Sequence, residues 1–291
     1  MKKLQFLGTF IVVFSALVSS AKAETYYLSH ENSDVEKSAI LQPSGKPDLR
    51  STAVLISDAE GRVIYGKNTD EVRPIASITK LVTAMVVLDK QLDLKEKITI
   101  TKDDRDLIRL TGSRLEVGAR LTREELLVLA IMASENRAAL ALGRTYPGGM
   151  EAFVRAMNQK TQQLGMTRSH FADPAGLSAE NVSTAADLAI LIKAASEYPL
   201  IQLASTTTQK EVYPFPRRGE LRYANTNRLL KNKSWEILLS KTGYINEAGR
   251  CLVMRATIAG QPISIVLLDS FGKLTPFGDS NRLRRWLTSS S

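Results

Sequence analysis

Ser77-Ile78-Thr79-Lys80 sets a hydroxyl and an amine three residues apart. At a helix start, positions i and i+3 share a face, so Ser77 Oγ and Lys80 Nζ can approach each other. A serine hydroxyl is a poor nucleophile until a neighbouring group takes its proton, and a lysine with suppressed charge can do that. The free backbone N–H groups and positive dipole end of such a helix also suit a developing oxyanion. Two further polar clusters follow, Ser134-Glu135-Asn136 and Lys241-Thr242-Gly243. Ser134 offers a second hydroxyl between two lysines, able to shuttle a leaving-group proton, and the Asn136 amide can bind a peptide carbonyl and hold Lys80. Lys241 and Thr242 present a charge and a hydroxyl to a carboxylate, while Gly243 lets another backbone approach closely. Taken singly, the first two clusters also have plainer readings: Ser77 caps a helix, and Ser134 to Asn136 ends one.

Other nucleophilic and metal chemistries find little support. The chain holds one cysteine, Cys251, within the apolar run Cys251-Leu252-Val253-Met254, which reads as a buried, inert thiol. His30 and His170 are the two histidines, well separated, and neither H-E-x-x-H nor G-x-S-x-G occurs. A Ser-His-Asp triad using His170 has no local support.

The elements that must position these residues follow from periodicity. Ala53 to Ser57, the turn Asp58-Ala59-Glu60-Gly61, and Arg62 to Tyr65 predict a β-hairpin. Ile78 to Leu88 is almost wholly apolar, so its helix must be buried within a domain with its first turn at the core edge. Thr122 and Glu125 form a capping box ahead of Leu126 to Met132. Further helices are predicted from Met150 to Leu164 and from Thr184 to about Ala195. Beyond Leu200 the runs become strand-like: Ile237 to Lys241, Cys251 to Ala259 and Ile263 to Leu268, the last two joined at Gly260-Gln261-Pro262. Arg282 to Leu287 predicts a short basic helix, too short for a secure membrane anchor. Strands at both ends with helices between them predict an α/β (α+β) fold, one antiparallel sheet flanked by helices, with a helical lobe carrying Ser134 and Asn136.

The chain has 291 residues and a formal net charge of +9. Lys2 and Lys3, the apolar stretch Leu4 to Val18, and Ala21-Lys22-Ala23 predict a signal peptide over residues 1–23, cleaved after Ala23. Its three lysines account for the difference between +9 and +6. Residues 24–50 read as a polar N-terminal arm or surface strap, and 51–291 as a single catalytic domain. The remaining cations are scattered rather than striped, so nucleic acid is not an expected partner; a solvated surface, with mild attraction to anionic envelope polymers, is.

The chain resembles the low-molecular-mass penicillin-binding proteins, the D-alanyl-D-alanine carboxypeptidase and endopeptidase family. The resemblance runs from about Ala53 to Leu268. It rests on Pro74-Ile75-Ala76-Ser77-Ile78-Thr79-Lys80, Ser134-Glu135-Asn136, Phe171-Ala172-Asp173-Pro174-Ala175-Gly176-Leu177, Asn225-Thr226-Asn227-Arg228-Leu229-Leu230 and Lys241-Thr242-Gly243-Tyr244. It implies a β-lactamase/transpeptidase-like fold. It makes Ser77 the acylated nucleophile, Lys80 its base and Ser134 part of the catalytic set, with Asn136, Lys241, Thr242 and Gly243 binding substrate. The backbone N–H groups of Ser77 and Tyr244 would form the oxyanion hole. Lys80 would have to be partly neutral near pH 7, favoured by burial beside Lys241 and Arg137. No metal or cofactor is implied; the partners are peptidoglycan peptides and β-lactam antibiotics in the periplasm. The short tail after Gly243 leaves no room for the extra β-rich domain of typical carboxypeptidases. That favours a soluble endopeptidase cutting D-alanyl–diaminopimelate cross-links, with a carboxypeptidase trimming pentapeptides as the alternative. A β-lactamase is disfavoured because no Glu-x-x-x-Asn pattern occurs between Asp173 and Asn181, and a non-catalytic envelope binding module because every motif residue is intact.

Overall fold

The computed structural model describes residues 43–289. The expected signal peptide, His30 and residues 24–42 of the expected arm lie outside the described residues. Five strands, β1 (Ala53–Ser57), β2 (Val63–Lys67), β3 (Glu236–Ile245), β4 (Gly249–Ile258) and β5 (Gln261–Ser270), form one antiparallel sheet in the order β2-β1-β5-β4-β3. The N-terminal β1 therefore pairs with the C-terminal β5, in register from Ala53 opposite Leu268 to Ser57 opposite Ser264. This is the closure by both chain ends that the sequence predicts.

The strands read as continuous apolar runs because both sheet faces are covered. On one face Ala53, Leu55, Val253, Val266 and Leu268 pack into the main core. Their neighbours Val54, Ile56, Leu252, Met254, Ile265 and Leu267 point the other way, against Leu283 and Leu287. The helices are α1 (Lys80–Asp89), α2 (Arg123–Met132), α3 (Asn136–Arg144), α4 (Gly149–Gln163), α5 (Ala185–Ala195), α6 (Pro199–Thr206) and α7 (Thr275–Thr288). Lys80 through Val87 of α1 are all buried, and α1 packs against α2, α3, α4 and α5. A helix so nearly apolar has no other place to go. The Thr122 capping box forms as expected: Thr122 Oγ1 accepts from Glu125 N at 3.1 Å, and Glu125 Oε2 accepts from Thr122 N at 2.8 Å.

Several boundaries differ from the sequence reading, each for a local reason. Residues 199–206, expected to begin the strand-like part, form α6, because Pro199 fits the first helical turn. The last helix begins at Thr275 rather than Arg282, again with a proline, Pro276, in its first turn. The β4–β5 hairpin turns at Ala259-Gly260 rather than at 260–262. Both residues have positive φ, +51° and +75°, as a two-residue turn requires. Among the described residues, no helix is long and apolar enough to cross a membrane.

Residues 43–50 are strapped onto α7. Ser44 O accepts from Trp286 Nε1 at 3.0 Å, and the fully buried Asp279 accepts from Arg50 N, Ser51 N (2.8 Å) and Ser51 Oγ (2.5 Å), and from the Arg282 guanidinium. Asp279→Ala would leave those donors without partners, and we expect it to lower stability by roughly 3 kcal/mol in urea unfolding.

Candidate active site

The approach to Ser77 is unusual backbone. Ala76 has φ +49°, a left-handed conformation uncommon for a residue with a side chain. Residues Ala76–Thr79 then make a 3-10 turn that runs into α1. In a 3-10 turn residues i and i+3 eclipse, so Ser77 and Lys80 are stacked, with Lys80 Nζ 2.8 Å from Ser77 Oγ. Ser77 is not a cap: Ile75 and Thr79 hold the N-cap positions of the turn and of α1.

Two glycines hold this strained segment. A Cβ on Gly176, itself at φ +73°, would lie 2.0 Å from Ala76 O. A Cβ on Gly243 would lie 2.8 Å from Ile75 O and 3.2 Å from Ser77 N. The loop carrying Gly176 is wound around one carboxylate. Asp173 accepts from the backbone N–H groups of Ala175 and Gly176 at 2.7 Å, from Ser178 N at 2.8 Å, and from Asn181 Nδ2 at 2.5 Å. That winding presents the Ala175 carbonyl to Lys80 Nζ at 2.5 Å.

Lys80 thus has three partners: Ser77 Oγ, Ala175 O and, at 2.8 Å, Asn136 Oδ1. The orientation of Asn136 follows from hydrogen-bond polarity. Asp106 accepts the Thr111 hydroxyl proton at 2.6 Å, so Thr111 Oγ1 is left to accept from Asn136 Nδ2 at 3.0 Å. The amide oxygen must then face Lys80. Two of the three Lys80 partners can only accept; the third, a hydroxyl, can also donate. A neutral amine keeps its two N–H bonds to Ala175 and Asn136 and turns its lone pair to the Ser77 hydroxyl.

Burial makes that neutral form accessible. Lys80 is fully buried, and the loss of hydration pulls its pKa down to about 7 against the opposing pull of Asp173, Glu135 and Asp106. Lys241 is also buried, and desolvation together with repulsion from Lys80 holds its pKa well below the usual lysine range. Arg137, named beside Lys241 in the sequence reading, donates its guanidinium to Leu115 O at 2.7 Å.

Ser134 lies between α2 and α3 at φ +58°, so the second polar triplet occupies a break between two helices. Lys241 Nζ donates to Ser134 Oγ at 2.9 Å, and Thr242 Oγ1 lies 2.6 Å from Thr226 Oγ1. Lys241, Thr242 and Gly243 are on β3, the sheet's edge strand as expected. Ser77, Ser134, Asn136, Thr242, Gly243 and Tyr244 all line one open cleft of about 770 Å³. His170 lines a separate surface hollow with Val154 and Asn158. Cys251 is buried, its thiol pushed up to about 12 by desolvation.

Residues 42–272 match the D-alanyl-D-alanine carboxypeptidase family. The chain belongs to that family. It is 50% identical over 241 residues to a D-alanyl-D-alanine endopeptidase of Pseudomonas aeruginosa, covering 82% of this chain and 78% of the relative. It is 44% identical over 254 residues to one of Escherichia coli, covering 87% and 82%. A crystal structure of a Streptomyces DD-transpeptidase superposes with a TM-score of 0.78 at 27% identity, covering 84% of this chain and all of that one. The fold of this D-alanyl-D-alanine carboxypeptidase family member is therefore transpeptidase-like, as the motifs implied.

Sequence reasoning did not assign Thr111, Asp106, Thr226 or the Ala175 carbonyl. The segments Phe171 to Leu177 and Asn225 to Leu230 stood out in the resemblance, and they hold Asp173, Gly176 and Thr226. Asp106 and Thr111 sit in a loop with no periodic signal. In this family member Gly176→Ala is expected to cost about 3 kcal/mol or more, combining strained φ with a backbone clash. Thermal unfolding would register it as a lowered Tm.

Proposed function

We propose that this chain is a serine D-alanyl-D-alanine endopeptidase that hydrolyses peptidoglycan peptide cross-links through an acyl-enzyme on Ser77. The observation that carries the chemistry is the fully buried Lys80, whose three partners are two fixed acceptors and the Ser77 hydroxyl. The preference for the endopeptidase rests on the relatives that bear that name.

In the first step neutral Lys80 takes the Ser77 proton as Oγ attacks the D-alanyl carbonyl. The oxyanion is stabilised by the backbone N–H groups of Ser77 and Tyr244; the close approach of Gly243 to Ser77 N supports this pairing. The proton then passes to the leaving amine through the Ser134 hydroxyl, and the C–N bond breaks. Lys80, neutral again, activates water to cleave the ester. Asn136 holds Lys80 and the substrate backbone, which adds in extended form along β3. A substrate carboxylate reaching Lys241 and Thr242 favours the charged form of Lys241. The work is done in the periplasm after removal of residues 1–23, and β-lactams acylate the same serine.

Purified protein incubated with cross-linked muropeptides should convert dimers to monomers, read by mass spectrometry. Loss of one terminal D-Ala from pentapeptide instead would make it a carboxypeptidase; no product and no penicillin adduct on Ser77 would sink both readings. Ser77→Ala should abolish adduct and cleavage, and Lys80→Met should slow penicillin acylation by about 10²- to 10⁴-fold. Because the neutral amine is the base, the acylation rate should rise with pH through a midpoint of about 7 and be lost below it.

A further inference from the structure

The cleft carries more positive charge than one terminal carboxylate needs. Arg228, Lys231, Arg250 and Lys273 line it along with Lys241's neighbours Thr242 and Gly243, and no Asp or Glu does. None of these four side chains makes an ion pair or a side-chain hydrogen bond with any described residue. Elsewhere the guanidinium groups are commonly paired, for example Arg73 with Asp269, Arg109 with Glu247 and Arg144 with Asp104. The four cations of the cleft have no carboxylate in its lining to neutralise them.

Arg250 is the best placed of the four. It sits on β4 directly opposite Tyr244 of β3, and its guanidinium lies 3.6 Å from the centre of the Tyr244 ring. Tyr244 is half-exposed, and its hydroxyl donates to Asn246 Oδ1 at 2.9 Å. Stacking on an aromatic face fixes the guanidinium plane without using its N–H donors. Those donors remain free for a ligand, one residue beyond Gly243. Lys273 approaches the same cleft from the loop between β5 and α7.

We propose that Arg250, held on Tyr244 and assisted by Lys273, binds a second carboxylate of the leaving peptide, distinct from the one met by Lys241 and Thr242. The inference rests on the endopeptidase reading and deepens it. A free D-alanine leaving group has one carboxylate. A diaminopimelate-containing acceptor strand has several, so only the cross-linked substrate can occupy both anion sites at once. Selectivity then comes from leaving an unneutralised guanidinium unmatched when the smaller leaving group binds.

The test compares a cross-linked D-alanyl–diaminopimelate dimer with the same dimer whose acceptor-strand carboxylates, other than the one beside the scissile bond, are amidated. The wild-type chain should cleave the free-acid dimer with a kcat/KM about tenfold higher, the worth of one charge-assisted hydrogen bond. Added salt should shrink the ratio. In Arg250→Gln the ratio should fall towards one, and Lys273→Gln, on a separate loop, should reduce it partway. Equal cleavage of the two dimers by the wild-type chain, or an unchanged ratio in both variants, would overturn the proposal. Penicillin acylation of the wild-type Ser77 is measured alongside. Its absence would strike the acyl-enzyme reading itself, whereas acylation with a ratio near one strikes only the second anion site.

Discussion

One buried lysine organises this molecule. An ammonium removed from water is costly unless its donors are matched or its proton is lost. Lys80 meets both conditions: three acceptors surround it, and burial brings its pKa down to about 7. The parts that supply those acceptors come from distant stretches of chain. Ser77 is on the turn before α1, Asn136 opens α3, and Ala175 belongs to the loop wound around Asp173. Each has its own support, whether the Asp106–Thr111 relay behind Asn136 or the glycine contacts behind Ser77. The neutral base is thus a property of the packing, not of any one neighbour.

The backbone bears part of the strain this requires. Ala76 and Ser134 both lie in the left-handed region, one beside the nucleophile and the other carrying the second hydroxyl. Such conformations persist where surrounding structure over-determines them. At Ala76 the over-determination is visible: Gly176 and Gly243 approach its carbonyl and its neighbours more closely than any side chain would permit. A glycine on an edge strand therefore does two things here, admitting the Ser77 segment and leaving the strand's outer groups open to an extended peptide.

Much of this was legible in the sequence. The hairpin from Ala53, the buried helix after Ser77, the Thr122 capping box and the C-terminal strands follow from periodicity and turn chemistry, and the structure bears them out. The polar triplets were legible because they interrupt apolar runs. Harder to see were α6 and the early start of α7, where a proline reads as a breaker yet suits a first helical turn. Asp106 and Thr111 were invisible for another reason. They act through a hydrogen-bond chain whose members are far apart in sequence, and an Asp-to-Thr contact in a loop leaves no periodic trace. The direction of Arg137 was equally hidden: its guanidinium turns to the Leu115 carbonyl. Sequence order names the charges near a site but not which way they point.

The central claim is that Lys80 is partly neutral at physiological pH because it is buried. A chain with ¹³C at the lysine side-chain carbons allows its titration to be followed by NMR, with Lys80→Met identifying the resonance. A lysine midpoint near 7, absent from the Lys80→Met spectrum, is the predicted result. A Lys80 resonance that stays charged to above pH 10 would contradict the account.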